Sequence, residues 1–276
     1  MEKAQEFSKS RWPLATGWNR LVAPASVTSP SLRAPLERPL VILALLFAIS
    51  LWTIFNVDRP IAIWMHAFPE DLSALVNHIT RLGAGVEVLV GSGALLILLA
   101  FLPRARLRRR IVVGANAVVA AAGFVFLSVA GGGLAVLITK YSIGRARPAV
   151  SQGEDPLDFQ VFALNPDYAA FPSGHATTAG AMAMALALVF PRFRSIFISI
   201  GILISLSRQL GGVHWPSDTI MGWAVGVGFT FWLAHIFARR RLLFVYSEDG
   251  SLRPRLAGMP LVSLLLRNAR RTAAPG

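Results

Sequence analysis

The 276-residue sequence contains no cysteine, which excludes disulfides, thiolate nucleophiles and cysteine-ligated metals. Charge is scarce as well: 15% of the residues are Asp, Glu, Lys or Arg, against about 25% in a soluble domain. Acids are fewer than bases, 14 against 27, so the formal net charge is +13. Apolar residues make up 54% of the chain, and they gather in runs close to the roughly 20 residues that cross a bilayer as a helix. This composition indicates a multi-span helical membrane protein. The positive excess does not point to a nucleic-acid partner, because the basic clusters lack interleaved aromatics for stacking and flank apolar runs instead. The first apolar run begins near Leu40, too far along for a cleaved secretory signal, and is expected to remain as a span.

Six spans are expected, at about 40–57, 83–102, 111–139, 173–190, 195–210 and 216–238. Residues 1–38 are read as an N-terminal tail with a short interfacial segment around Trp12 to Val22. Residues 39–241 are read as the membrane domain, and 242–276 as a C-terminal tail whose apolar patch, Leu261 to Leu266, is too short to span. An even number of spans puts both termini on one face. Of the 27 lysines and arginines, the other face keeps only Arg59, Arg81, Lys140, Arg145, Arg147 and Arg208. The excess of basic residues marks the cytoplasmic side, so both termini are expected there and the opposite face in the periplasm or a lumen.

Three polar clusters interrupt the grease, and the six-span topology brings all of them to that opposite face. KYSIGRARP (140–148) closes the third span, PSGH (172–175) opens the fourth, and SRQLGGVHWPSD (207–218) links the fifth to the sixth. Lys140, Arg147 and Arg208 supply one ammonium and two planar forks, the groups that hold phosphate oxygens. Ser173 stands at an N-cap position, Gly174 lets the backbone approach a ligand, and the first N–H groups of the fourth span are donors for an anion. His214 and Asp218 are four apart, one face of a helical turn. A carboxylate on one imidazole nitrogen leaves the other as a lone-pair nucleophile. His175 is then available to protonate a leaving oxygen. The set fits phosphoryl transfer through a phosphohistidine, with no metal and no cofactor required.

The three clusters together resemble the type 2 phosphatidic acid phosphatases (PAP2), which share their site pattern with vanadium haloperoxidases. That pattern is a lysine, six residues and Arg-Pro; then Pro-Ser-Gly-His; then Ser-Arg, five residues, His, three residues and Asp. The chain matches it at Lys140, Arg147-Pro148, Pro172 to His175, Ser207-Arg208, His214 and Asp218. The resemblance covers about 40–240 and implies an all-α bundle of six transmembrane helices. It implies His214 as nucleophile, Asp218 as its orienting partner and His175 as general acid and then base. It implies Lys140, Arg147, Ser173, Gly174 and Arg208 as phosphate ligands. The implied partner is a phosphorylated lipid of the bilayer, of the phosphatidate, phosphatidylglycerol phosphate, undecaprenyl diphosphate or lipid A type, in a bacterial inner membrane. A lipid phosphotransferase using the same phosphohistidine and a vanadate-dependent haloperoxidase are the alternatives; six spans weigh against the second.

Several residues lie outside the pattern. Arg145 is read either as a ligand for a second phosphate or as a solvated loop arginine. Glu87 is expected to be a hydrated interfacial carboxylate. His66 and His78 lie in an outer loop, 58–82, expected to hold a short interfacial helix; His235 is given no role. Gly131, Gly132 and Gly133 are expected to serve helix packing. The segment 149–170, with Glu154, Asp155, Asp158 and Asp167, is read as a lid or as a solvated acidic loop.

Overall fold

The computed structural model describes residues 19–25, 27, 39–66, 85–103 and 107–255. The expected tail segments at 1–18 and 256–276, and His78, lie outside these residues; of the expected interfacial segment, residues 19–22 are helical. Apolar helices stand where the six spans are expected: α1 (Pro39–Asn56), α3 (Gly85–Ala100), α4 (Arg109–Ile143), α5 (Gly174–Val189), α6 (Arg194–Leu210) and α7 (Pro216–Arg239). A short helix, α2 (Asp58–His66), follows α1 at a 62° bend, inside the loop expected to carry one. Pro60 accounts for the bend, since it cannot donate to the carbonyl of Asn56 four residues back. Within the described residues, three helical stretches are long and apolar enough to cross a membrane: Ile111–Ile143, Pro191–Leu210 and Pro216–Arg239. The bent pair α1–α2 makes a fourth if counted as one span. The 16-residue α3 and α5 reach only about 24 Å at 1.5 Å per residue, short of a hydrocarbon core of about 30 Å.

Contacts divide the chain into two units. One comprises Leu32–Val90 and Val125–Trp232. Within it, α5 is built from small residues and is buried along most of its length. Glycines of α7 make its close approach possible: a Cβ on Gly222 would lie 2.3 Å from the Ser173 carbonyl oxygen, and one on Gly226 would lie 2.2 Å from that of Thr177. Of the glycine run expected to serve packing, Gly131 of α4 faces the Phe229 ring, 2.1 Å from where its Cβ would stand, and Gly132 faces Thr177 at 3.4 Å, whereas nothing lies within 4 Å of a Cβ on Gly133.

The other unit comprises Met1–Ser31, Gly91–Phe124 and Leu233–Gly276. Its centre is Phe124, packed edge-on against Phe237 and Phe244 with ring centroids 5.2 and 4.9 Å apart. The stretch after α7 is more ordered than a plain tail: β1 (Phe244–Tyr246) and β2 (Leu252–Pro254) pair as an antiparallel hairpin. His235 bonds the Tyr246 hydroxyl at 3.0 Å, a structural role for a histidine to which the sequence gives none.

Candidate active site

All the residues singled out from the three clusters fall in the first unit. Lys140 lies on the last turn of α4, which runs four residues beyond the expected end of that span. Ser173 caps α5, its hydroxyl accepting from the Ala176 N–H at 3.4 Å. The Ser173 N–H itself donates to the Asp218 carbonyl at 2.9 Å, which ties the start of α5 to the first turn of α7. Gly174 is the first residue of α5, and the Lys140 ammonium lies 3.8 Å from where its Cβ would stand. His175 feels the charges of Arg208, Lys140 and Arg147 and lies within electrostatic reach of His214. The expected set is therefore brought together around the N-terminus of α5.

His214 and Asp218 are buried, with Nδ1 and Oδ2 3.4 Å apart. Burial pushes the His214 imidazole down to about 4, against the opposing pull of Asp218. The ring is consequently neutral near pH 7, with Nδ1 turned to the carboxylate, which puts the lone pair on Nε2. Asp218 is itself held from three sides: Oδ2 also accepts from the Trp215 N–H at 2.9 Å, and Oδ1 from Arg145 at 2.7 Å.

The cations differ in their surroundings. Arg147 donates from Nε to the Pro166 carbonyl at 2.9 Å and from a terminal nitrogen to that of Val213 at 3.4 Å. Burial lowers its guanidinium from the ordinary value, with Asp218 and Asp167 acting the other way. The Arg208 Nε is buried with no hydrogen-bond partner among the described residues. An orphaned donor on a cation, beside a second guanidinium, an ammonium and a helix N-terminus, makes a setting for a phosphate-sized anion.

Arg145 corrects the sequence reading. It is neither solvated nor placed to reach a second phosphate, for none of its surface is exposed. Its guanidinium donates to Asp58 Oδ2, Asp218 Oδ1 and the Ser217 hydroxyl, each at 2.7 Å, and to the Pro156 carbonyl at 2.8 and 3.0 Å. The Trp215 ring lies beside it, 5.3 Å from Cζ to centroid. Asp58, also fully buried, accepts from the Ser217 N–H and hydroxyl. The sequence reading passed over Asp58 and Ser217. The available signal was an acid directly after an apolar run, a position that is costly without a partner. Glu87, by contrast, is exposed on the first turn of α3, as expected for a hydrated carboxylate. Among the described residues, no group of three or more His, Asp or Glu is placed to hold a metal ion.

Residues 121–242 match the model of the PAP2 superfamily. The chain is 39% identical over 146 residues to a lipid A 1-phosphatase of Rhizobium johnstonii, covering 53% of this chain and 57% of that one. It is 40% identical over 127 residues to a lipid A 1-phosphatase of Rhizobium etli, covering 46% and 55%. The match thus spans a little over half the length of these relatives. Among solved structures, a transmembrane PAP2 type phosphatidylglycerolphosphate phosphatase from Bacillus subtilis superposes with a TM-score of 0.49 at 20% identity, covering 71% of this chain and 94% of that one.

The buried trio predicts a stability effect. Arg145→Met leaves the carboxylates of Asp58 and Asp218 without their cation, at an expected cost of about 3–5 kcal/mol. Thermal unfolding in detergent reads it directly; a variant that melts with the parent protein would show that the trio is not holding the fold.

Proposed function

We propose, from the PAP2 superfamily domain formed by residues 121–242, that this protein is an integral-membrane lipid phosphatase working through a phosphohistidine. The observation that carries the reading is a buried, neutral His214 tied to Asp218 where the charges of Lys140, Arg147 and Arg208 converge. His214 Nε2 attacks phosphorus, and the bond from phosphorus to the lipid oxygen breaks. His175 gives its proton to that oxygen, which leaves as the lipid alcohol. Water then attacks the phosphohistidine and gives a proton to His175; the N–P bond breaks, releasing inorganic phosphate and restoring both histidines. Lys140, Arg147, Arg208, the Ser173 hydroxyl and the backbone at Gly174 hold the phosphoryl oxygens, and their fixed charge favours the transition state. The charge of the bound phosphate favours the protonated form of His175 needed for the first step.

The resemblance to relatives named lipid A 1-phosphatase supports a phosphorylated lipid as substrate, with the 1-phosphate of lipid A as the first to assay. Phosphatidate and phosphatidylglycerol phosphate present the same phosphate monoester; undecaprenyl diphosphate presents a terminal phosphoryl group, and its leaving group would be the lipid monophosphate rather than the alcohol. The distribution of basic residues supports an inner-membrane location with both termini cytoplasmic and the site on the periplasmic face.

Phosphate release from these four lipids by the purified protein is the direct test. His214→Ala is expected to lower the rate roughly a thousandfold or more, as removal of a covalent nucleophile does. Near-normal turnover by that variant would remove the nucleophile assignment. EDTA is expected to leave the rate unchanged, since every step is assigned to side chains; full loss on chelation would require a different mechanism. A reporter fused after Gly276 is expected to read as cytoplasmic, and a periplasmic signal would reverse the orientation.

A further inference from the structure

The segment between α4 and α5 carries four acids, and each has a local use. Glu154 pairs with Arg59 of α2 at 2.6 Å, and Asp155 accepts from the Leu157 N–H at 2.9 Å. Asp158 accepts from the Tyr168 hydroxyl at 3.1 Å, and Asp167 acts electrostatically on Arg147. What the segment leaves outside is apolar. Val161 is 66% exposed, Phe162 76% and Leu164 88%. Three large apolar side chains within four residues are costly to leave in water.

This apolar tip is fixed in place. The Gln160 N–H donates to the Gly144 carbonyl at 2.6 Å, and the Phe162 N–H to that of Ser142 at 3.3 Å. Gly144 has φ +65, and a Cβ there would fall 1.6 Å from the Gln160 carbonyl oxygen, so only glycine permits this approach. Phe162 is itself held at φ 59, a conformation that aromatic residues rarely adopt.

The attachment point tells what the tip faces. Leu134, Leu137 and Ile138 are exposed on α4, spaced along one face of a helix that is long and apolar enough to cross a membrane. That stripe is the lipid-facing surface of the span. Ser142 is four residues beyond Ile138 and eight beyond Leu134, at the end of the same face. Phe162, bonded to Ser142, therefore prolongs the lipid-facing stripe past the last turn of the helix. Through the Arg59–Glu154 pair the segment also joins α2, whose Trp64 is 54% exposed and is of the type enriched where membrane meets water.

We propose that Val161, Phe162 and Leu164 insert into the leaflet on the active-site side, with the acyl chains of that leaflet as their occupant. The insertion holds the mouth of the site at headgroup depth, next to Arg147, whose main chain is bonded to the same segment. A phosphorylated headgroup then reaches the cations while its chains stay in the bilayer.

The absence of cysteine makes the test direct, since Phe162→Cys introduces a single thiol for a nitroxide label. Leu164→Cys is a second position in case the first disturbs the segment. The full chain is placed in liposomes of phosphatidylethanolamine and phosphatidylglycerol. Collision of the label with oxygen, which concentrates among acyl chains, is compared with collision with a water-soluble nickel chelate. Insertion is expected to favour oxygen at both positions. Preference for the nickel chelate would mean a solvated loop. Protection from both would mean that protein covers the tip, as a second copy of the chain would. Either result overturns the proposal, and neither depends on turnover, so the phosphatase reading stands or falls separately.

Discussion

A guanidinium with no surface in water has to find a partner for each donor, and Arg145 finds them on three separate segments of the chain. Asp58 comes from the start of α2, Pro156 from the segment after α4, and Ser217 and Asp218 from the first turn of α7. Desolvating such a group costs several kcal/mol, and the cost is offset only when geometry and hydrogen bonding are nearly complete. Here one cation sits between two carboxylates, and a serine supplies its N–H and hydroxyl to Asp58, one of the two. Displacing any one segment would strand a charge in a dry place. The arrangement therefore fixes where α7 begins, and with it the orientation of Asp218.

From Asp218 the constraint passes to the residues of the candidate site. Its side chain holds His214, and its carbonyl accepts from the N–H of Ser173, the cap of α5. The close approach of α5 to α7 at Gly222 and Gly226 makes that second bond possible, because a methyl group at either glycine would collide with an α5 carbonyl. A structural ion network on one side and small-residue packing on the other thus define where the N-terminus of α5 lies relative to the His214 imidazole. Asp218 belongs to the first device and bonds His214 directly, so the proposed chemistry rests on the positions that both devices set.

The part of this arrangement that was legible in sequence is the part encoded locally. His214 and Asp218 are one helical turn apart, Ser173 caps the helix it precedes, and Lys140 closes the apolar run that carries it; spacing alone reveals these. Asp58 lies 87 residues from Arg145, and no local period connects them. The pattern of three clusters sets Arg147 apart from Arg145 two residues before it, but the role of Arg145 shows only in its tertiary partners. Helix positions were recovered because apolar runs are long. The short α3 and α5 complicate the count of spans, since length and apolarity qualify three stretches and a bent fourth. The hairpin after α7 escaped because strands of three residues leave almost no periodic signal.

The contrast between the two arginines also separates charges that are used within the protein from charges left for a ligand. Arg145 is neutralised twice over, by Asp58 and Asp218, so its field is spent within the protein. The guanidinium of Arg147 is bonded to the main-chain carbonyls of Pro166 and Val213. Carbonyl oxygens satisfy N–H donors without carrying a full opposing charge, so Arg147 is oriented like a structural group yet has no carboxylate bonded to its guanidinium among the described residues. Arg208 goes further, with its Nε left unbonded among the described residues. Cations held close together repel, as Lys140, Arg147 and Arg208 do here, and that stored repulsion is relieved when an anion enters between them. Under the proposed function, charge is then the property by which these cations would select a ligand before any contact to a lipid tail.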